Sequence, residues 1–148
     1  MNKKLRLQII TPERQVLDRE VDFVAMPAHE GEMGVLYRHI SFVVQLKVGI
    51  LRYKSGQEEE VFAVSGGFVE INNNEVSVFA EAAEFAEEID TERARQALQL
   101  AKNTIVSGGK DMDINSVQAA IRRAAARMKV AGMKRARKDR RGNFPQNT

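Results

Sequence analysis

Near Asp90 the hydrophobic period of this chain changes from two to about 3.6, and no single layer of secondary structure can satisfy both. Ahead of that point the apolar residues come in short runs. Leu5, Leu7 and Ile9 alternate with polar residues, the period of a half-buried strand. Val16-Leu17, residues 21–26, 40–46, 49–53, 61–64, 68–71 and 76–79 read as further strands. Thr11-Pro12-Glu13, the loop PAHEGEMG, Lys54-Ser55-Gly56-Gln57 and Asn72-Asn73-Asn74 supply the turns between them. Ser65-Gly66-Gly67 interrupts one run with paired glycines, the mark of a bulge or of a close backbone approach. Eight to ten short strands in about 80 residues predict a β-sandwich or barrel.

Behind Asp90, Ala94, Ala97, Leu98, Ala101 and Ile105 share one helical face. Asp90 is placed to cap that helix, and Ser107-Gly108-Gly109 ends it. Asp113 or Asn115 caps a second helix, with Gln118 in box-like relation to Asn115. Val117, Ile121, Ala124, Met128 and Ala131 form its stripe. The short connection predicts an antiparallel pair. Beyond Gly132 the stripe is lost, and residues 135–148 read as a basic, disordered tail. The fold class is therefore α+β: an N-terminal antiparallel β-domain over residues 1–86 and a C-terminal helical hairpin over 87–134. A hairpin built from alanine buries little apolar surface and is expected to dock weakly, as a movable element.

Net charge is only +3, but it is unevenly placed. Residues 1–88 hold 9 Lys/Arg against 15 Asp/Glu, whereas residues 122–148 hold 10 Lys/Arg against Asp139 alone. An acidic body with a basic tail points to an anionic partner for the tail. The chain has no cysteine, which excludes disulfides and thiolate chemistry. No apolar run approaches the roughly 20 residues of a membrane helix, and the start lacks a signal-peptide core. The protein is thus expected to stay in the compartment of its ribosomes unless a partner holds it at a membrane. His29 and His39 have no metal-ligand spacing, Ser65-Gly66-Gly67 lacks a nucleophile-elbow context, and there is no Gly-rich Lys-Ser/Thr phosphate loop. Neither an enzyme nor a metal site is expected.

The remaining chemistry lies in arginine. Arg93 falls in the first turn of the first helix, where a cation opposes the helix dipole and invites a carboxylate or a bound anion. In an antiparallel pair it can lie beside Arg123 and Arg127, with Arg122 on the same helix. Clustered guanidinium groups match a polyphosphate, or they point to separate solvent faces.

Four segments in order, TPERQVLDREVDFVAMPAHEGEMGVL, LKVGILRY, AVSGGFVEI and EAAEFAEEIDTERARQAL, resemble the epsilon subunit of F-type ATP synthase, over residues 5–134. The resemblance implies an N-terminal β-sandwich and a helical hairpin. It implies a non-catalytic central-stalk (rotor) subunit that couples the catalytic head to the proton- or sodium-translocating membrane ring. The implied partners are the gamma subunit, the c-ring and a catalytic beta subunit, at the cytoplasmic side of a bacterial inner membrane. Membrane association is through the complex alone, and no nucleic acid is bound. It further implies that Glu32 and His39 face the ring, and that Arg122, Lys129, Lys134 and Arg135 make inhibitory basic contacts in the head. Ile89-Asp90-Thr91-Glu92-Arg93-Ala94 resembles the motif with which some members bind ATP, and Glu84, Arg123 and Arg127 align with nucleotide-contacting positions. The resemblance thus implies ATP as a regulatory ligand rather than a required cofactor, with Glu84, Ile89, Asp90, Arg93, Ala94, Arg123 and Arg127 as the residues that would bind it. The chain departs from the pattern at Tyr37-Arg38, where many members have Pro-Gly, and at Leu100, where some nucleotide binders carry Arg. The alternative function is a β-barrel nucleic-acid module that uses the basic tail.

Overall fold

The structure, a computed structural model, describes residues 3–142, with side chains described to Lys134. Eight strands precede a short 3-10 turn and two helices: β1 Leu5–Ile10, β2 Gln15–Val21, β3 Phe23–Ala28, β4 Gly31–Leu36, β5 Phe42–Gln45, β6 Gly49–Ser55, β7 Glu58–Asn72, β8 Glu75–Phe85, the turn Ala86–Glu88, α1 Thr91–Ser107 and α2 Ile114–Gly142. The strand order is β2-β1-β8-β7-β6-β3-β4, with β5 on β7. Pairing is antiparallel except between β1 and β8, which run parallel.

The long strand β7 makes a sandwich out of this single hydrogen-bonded path. Its first half pairs with β6, Gly49 opposite Val64 through Ser55 opposite Glu58; its second half pairs with β5, Gln45 opposite Phe68 through Phe42 opposite Ile71. The corner between them is Ser65-Gly66-Gly67. Both glycines have positive φ, +64° and +112°, and a Cβ on Gly67 would sit 1.9 Å from the Phe79 carbonyl oxygen. The paired glycines therefore mark a close backbone approach, and the Leu46 amide also donates to the Gly67 carbonyl at 2.9 Å. Register with β8 is unchanged across the corner, yet the buried face switches. Phe62 and Val64 point inward before it, Val69 and Ile71 after it. On β8 the matching switch lies between Ala80 and Ala83.

The core so enclosed holds Leu5, Leu7, Ile9, Val24, Met26, Leu51, Tyr53, Phe62, Val69, Ile71, Val76 and Val78, all at most 2% exposed. Phe62 sits between Tyr53 and Phe85, with ring centroids 6.0 and 4.3 Å away. Burial of this kind, at about 25 cal/mol per Å² of apolar surface, dominates the stability of the β-domain.

The helices pack against each other. On α1 the buried residues are Ala94 and Ala101 only. Ala97 is exposed and Ile105 is 40% exposed, so the predicted five-residue stripe narrows to two alanines and a half-buried Leu98. The caps come from aspartate. Asp90 accepts from the Arg93 amide at 3.0 Å. Asp113 accepts from the amides of Asn115 and Ser116 at 3.1 and 3.3 Å, so Asn115 is a capped residue and not the cap. Gly132 does not end α2. The backbone stays helical to Gly142, because Ala, Arg, Lys and Met flank one tolerated glycine and no proline intervenes before Pro145. The tail expected to be disordered from residue 135 is helical at least that far. Residues 143–148 lie outside the described chain.

Candidate functional site

The hairpin meets the β-domain along one seam. Cross-strand register puts Ile50, Ala63 and Glu84 in one outward-facing row of β6, β7 and β8, with Val61 two residues away on the same face. Val61 and Ala63 cluster there with Ile89, Val130 and Ala131, joined by Ile50, Ala86 and Met133. Val130 is completely buried. Ion pairs flank this apolar strip. Glu84 receives two hydrogen bonds from Arg127, Nε to Oε2 at 2.6 Å and Nη2 to Oε1 at 3.3 Å, with both side chains about one-third exposed or less. Lys134 pairs with Glu87 in the 3-10 turn, and Arg14 from the β1–β2 turn pairs with Glu88. The Glu88 carboxylate also accepts from the Phe85 amide at 3.0 Å. Beside the turn lies a recess of about 390 Å³ lined by Leu17, Arg19, Tyr53, Glu60, Phe85, Glu87 and Glu88.

Among the nucleotide candidates, the structure brings Glu84 and Arg127 into contact. Asp90 serves as the α1 cap, Ile89 is buried in the seam, and Ala94 is fully buried. Arg93 and Arg123 are exposed and make no side-chain ion pair among the described residues. Among the described residues no carboxylate pairs with Arg93; the nearby Glu92 pairs with Arg95. Of the basic candidates on α2, Arg122 and Lys129 are exposed, Lys134 is taken by Glu87, and the side chain of Arg135 lies outside the described residues. Glu32 and His39 do not share one loop. Glu32 is in β4 and pairs with Arg52 at 3.0 Å. His39 follows the far end of β4 in a turn where its amide donates to Leu36 O and its Nδ1 lies 2.8 Å from the Ile40 carbonyl. Arg38 beside it takes a left-handed φ of 67°, and its amide donates to Asn74 Oδ1 at 2.7 Å.

A second surface went unread in the sequence. Ile10 pairs with Phe79, Phe79 with Phe68, and Phe68 with Gln45, two residues from Val43. Ile10, Phe79, Phe68 and Val43 thus lie on the outer face of β1, β8, β7 and β5, with Gln45 and Glu70 beside the last two. Phe68 and Phe79 stack with centroids 5.1 Å apart, yet Phe68 is 50% and Val43 64% exposed. The available signal was Phe68 itself, out of phase with the inward Val69 and Ile71.

Electrostatic perturbation is found at the β1–β2 edge of this surface and elsewhere. Arg6 hydrogen-bonds Asp18 and holds its carboxyl below the usual range. Lys4, with the Gly56 amide, does the same for Asp22, and Ser116 does so for Asp113. Burial pushes the Tyr53 hydroxyl up against the opposing pull of Arg19. Among the described residues no cluster of metal-ligating side chains occurs, and no helix is long and apolar enough to cross a membrane.

Comparison with known proteins matches both halves in order. Residues 4–86 match the family described as ATP synthase, Delta/Epsilon chain, beta-sandwich domain, and residues 87–132 match its long alpha-helix domain. An ATP synthase epsilon chain of Nitratidesulfovibrio vulgaris is 47% identical over 133 residues, covering 89% of this chain and 98% of that one. A sodium-ion-specific epsilon chain of Propionigenium modestum is 39% identical, covering 85% of this chain and 92% of that one. A chain in the Euglena gracilis mitochondrial ATP synthase, in an assembly with the c-ring, superposes with a TM-score of 0.77 at 28% identity, over 88% of this chain and 82% of that one. Matched through both domains and by near-full-length relatives, the chain belongs to the ATP synthase delta/epsilon chain family, as an epsilon chain.

Proposed function

We propose that this subunit is a non-catalytic component of the central stalk, seated on the gamma subunit and c-ring through its β-domain and regulating ATP hydrolysis through its hairpin. The observation that carries the reading is the contrast between two outer faces of the sandwich. One is covered by α2. The other bears Ile10, Phe79, Phe68 and Val43, of which Phe68 and Val43 are at least half exposed, and large apolar side chains grouped on an outer face in this way suit a protein-docking surface. The gamma subunit is its occupant in this reading. Through that assembly the chain sits peripherally at the membrane, on the cytoplasmic side in a bacterium. Replacing Val43 and Phe68 together by Asp should leave the β-domain folded, since both side chains are exposed, and should abolish co-purification with the ATPase. Undiminished co-purification would refute the docking assignment.

For regulation, the exposed cations Arg122, Arg123 and Lys129 supply groups that an acidic loop of a catalytic beta subunit would attract. Removing residues 115–148 should leave assembly intact and raise hydrolysis by the complex; an unchanged rate would discard the inhibitory role. ATP is the proposed regulatory ligand of the docked hairpin. Arg93 and Arg123 are open to a phosphate, whereas a phosphate at Arg127 must compete with Glu84. Calorimetric titration of the full chain with ATP, beside Arg93→Ala, tests this. No heat at millimolar ATP, or equal binding by the variant, would overturn it.

A further inference from the structure

The ion pairs flanking the hairpin seam have a purpose that their geometry reveals. Arg127 and Lys134 are seven residues apart on α2, two helical turns or about 10.5 Å along one face. Between them lie Val130 and Ala131, the helix's main apolar contribution to the seam. Their partners Glu84 and Glu87 belong to different local structures, the end of β8 and the 3-10 turn, three residues apart. We propose that Glu84–Arg127 and Glu87–Lys134 form a two-point electrostatic latch that holds the hairpin on the β-domain, and that the same two cations become available to an anionic partner only when the latch opens.

Three observations carry this. First, the apolar part of the seam is small. Val130 is its one large fully buried side chain from α2; Ala131 adds a methyl group and Met133 is only partly buried. A strip of that size leaves docking sensitive to charge. Second, the two pairs are built differently. Arg127 grips Glu84 through two nitrogens in a partly buried setting, the geometry that gives guanidinium–carboxylate pairs their strength, whereas Lys134–Glu87 is about half exposed and weaker. The first pair sets position, and the second pins the far side of the plug. Third, the exposed cations Arg122, Arg123 and Lys129 make no ion pair among the described residues, while Arg127 and Lys134, in the seam, do. In the docked state Glu84 of the β-domain and Glu87 of the turn that follows it neutralise two cations of the helix. A partner surface that needs either of them must compete with Glu84 or Glu87, which couples engagement elsewhere to release here.

The absence of cysteine allows a direct measurement. A single thiol is introduced in the full chain as Ala131→Cys, at a position 9% exposed when docked, with Val130→Cys as a second reporter. Its alkylation rate reads the released fraction. Replacing both carboxylates, Glu84→Gln with Glu87→Gln, should speed labelling by about tenfold, a factor consistent with one bidentate and one half-exposed pair. Raising salt from about 0.05 M to about 0.5 M should speed labelling of the parent and leave the double variant unchanged. The exchange Glu84→Arg with Arg127→Glu should return labelling toward the parent rate. Glu75→Gln, which removes a carboxylate paired with Arg6 away from the seam, should have no effect. Equal labelling of the double variant and the parent would overturn the latch. A rise confined to the Glu84 variants would overturn its two-point form. The consequence for hydrolysis rests on the regulatory reading above: complexes carrying Glu84→Gln with Glu87→Gln should be inhibited more strongly. Faster labelling with unchanged hydrolysis would uphold the latch and refute that reading.

Discussion

The two halves of this chain are held together by different physics. The β-domain encloses a continuous core of large side chains, with Tyr53, Phe62 and a ring of Leu, Ile and Val almost wholly removed from water. The hairpin has Ala94, Ala101, Ala124 and Ala126 as its buried residues away from the seam. One half is stable through burial. The other is stable through caps, ion pairs and one small apolar plug. The difference teaches that a core of large side chains and an alanine-built hairpin can share one short chain if side-chain size is segregated along it. Large residues fix the β-domain. Alanines leave the hairpin with little buried surface of its own.

The largest effect should come from breaking the rigid half. Phe62→Ala removes a fully buried ring that touches two others, and such truncations cost about 3–5 kcal/mol. Gly67→Ala should be comparably severe, because a Cβ cannot occupy a point 1.9 Å from the Phe79 carbonyl oxygen and φ is +112°. Urea unfolding followed on the β-domain should show both losses. If Gly67→Ala unfolds like the parent, the corner is not the constraint described.

The comparison is sharpened by a change that spares the anchor. Val130→Asp places a charge in the seam, where burial without a partner is costly. The hairpin should detach while the β-domain keeps its unfolding midpoint within about 0.5 kcal/mol, the range of changes outside a core. A matching fall in β-domain stability would show the two halves to be one cooperative unit. A smaller effect should follow Asp90→Ala, which removes the acceptor of the Arg93 amide and should cost about 1 kcal/mol of helix stability, read as lost helical signal on mild heating.

These contrasts also explain which features were legible in the sequence. Leu5-Leu7-Ile9 and Val76–Phe79 announced their strands because alternation is a local property. The β1–β8 parallel pairing had no local sign, since it joins residues 69 positions apart, Arg6 with Glu75. Alternation even misleads across Gly66-Gly67, where the inward face switches and Phe68 is turned outward. Asp90 and Asp113 were readable as caps because capping is local too. Glu84–Arg127 was readable only as membership of a candidate set, because 43 residues of chain separate the two. The Lys134–Glu87 pair had no local sign for the same reason, since 47 positions separate its partners. Gly132 suggested a stop, but its helix-forming neighbours outvoted it.

The smallest effect distinguishes the hairpin's two kinds of support, caps and ion pairs, by pH. The Asp113 carboxyl is held below its ordinary value of 3.8, chiefly by the Ser116 hydroxyl and then by the Ser116 and Asn115 amides. A carboxyl whose folded value is depressed contributes stability that is fully present above its unfolded value and is lost as pH falls through the folded value. The contribution of Asp113 is therefore complete at neutral pH and disappears only below 3.8. Asn is an equally good cap but does not titrate. Asp113→Asn should leave helical content at pH 7 nearly unchanged and should flatten the decline on acidification by the part that belongs to the α2 cap. The remaining decline then reports the β-domain, where Asp18 and Asp22 are also held low, by Arg6 and by Lys4. Following helical signal and β-domain fluorescence in one acid titration separates these. If Asp113→Asn loses helix at pH 7, the cap depends on charge and not on hydrogen bonding. If its acid profile matches the parent, Asp113 does not set the pH response of the arm.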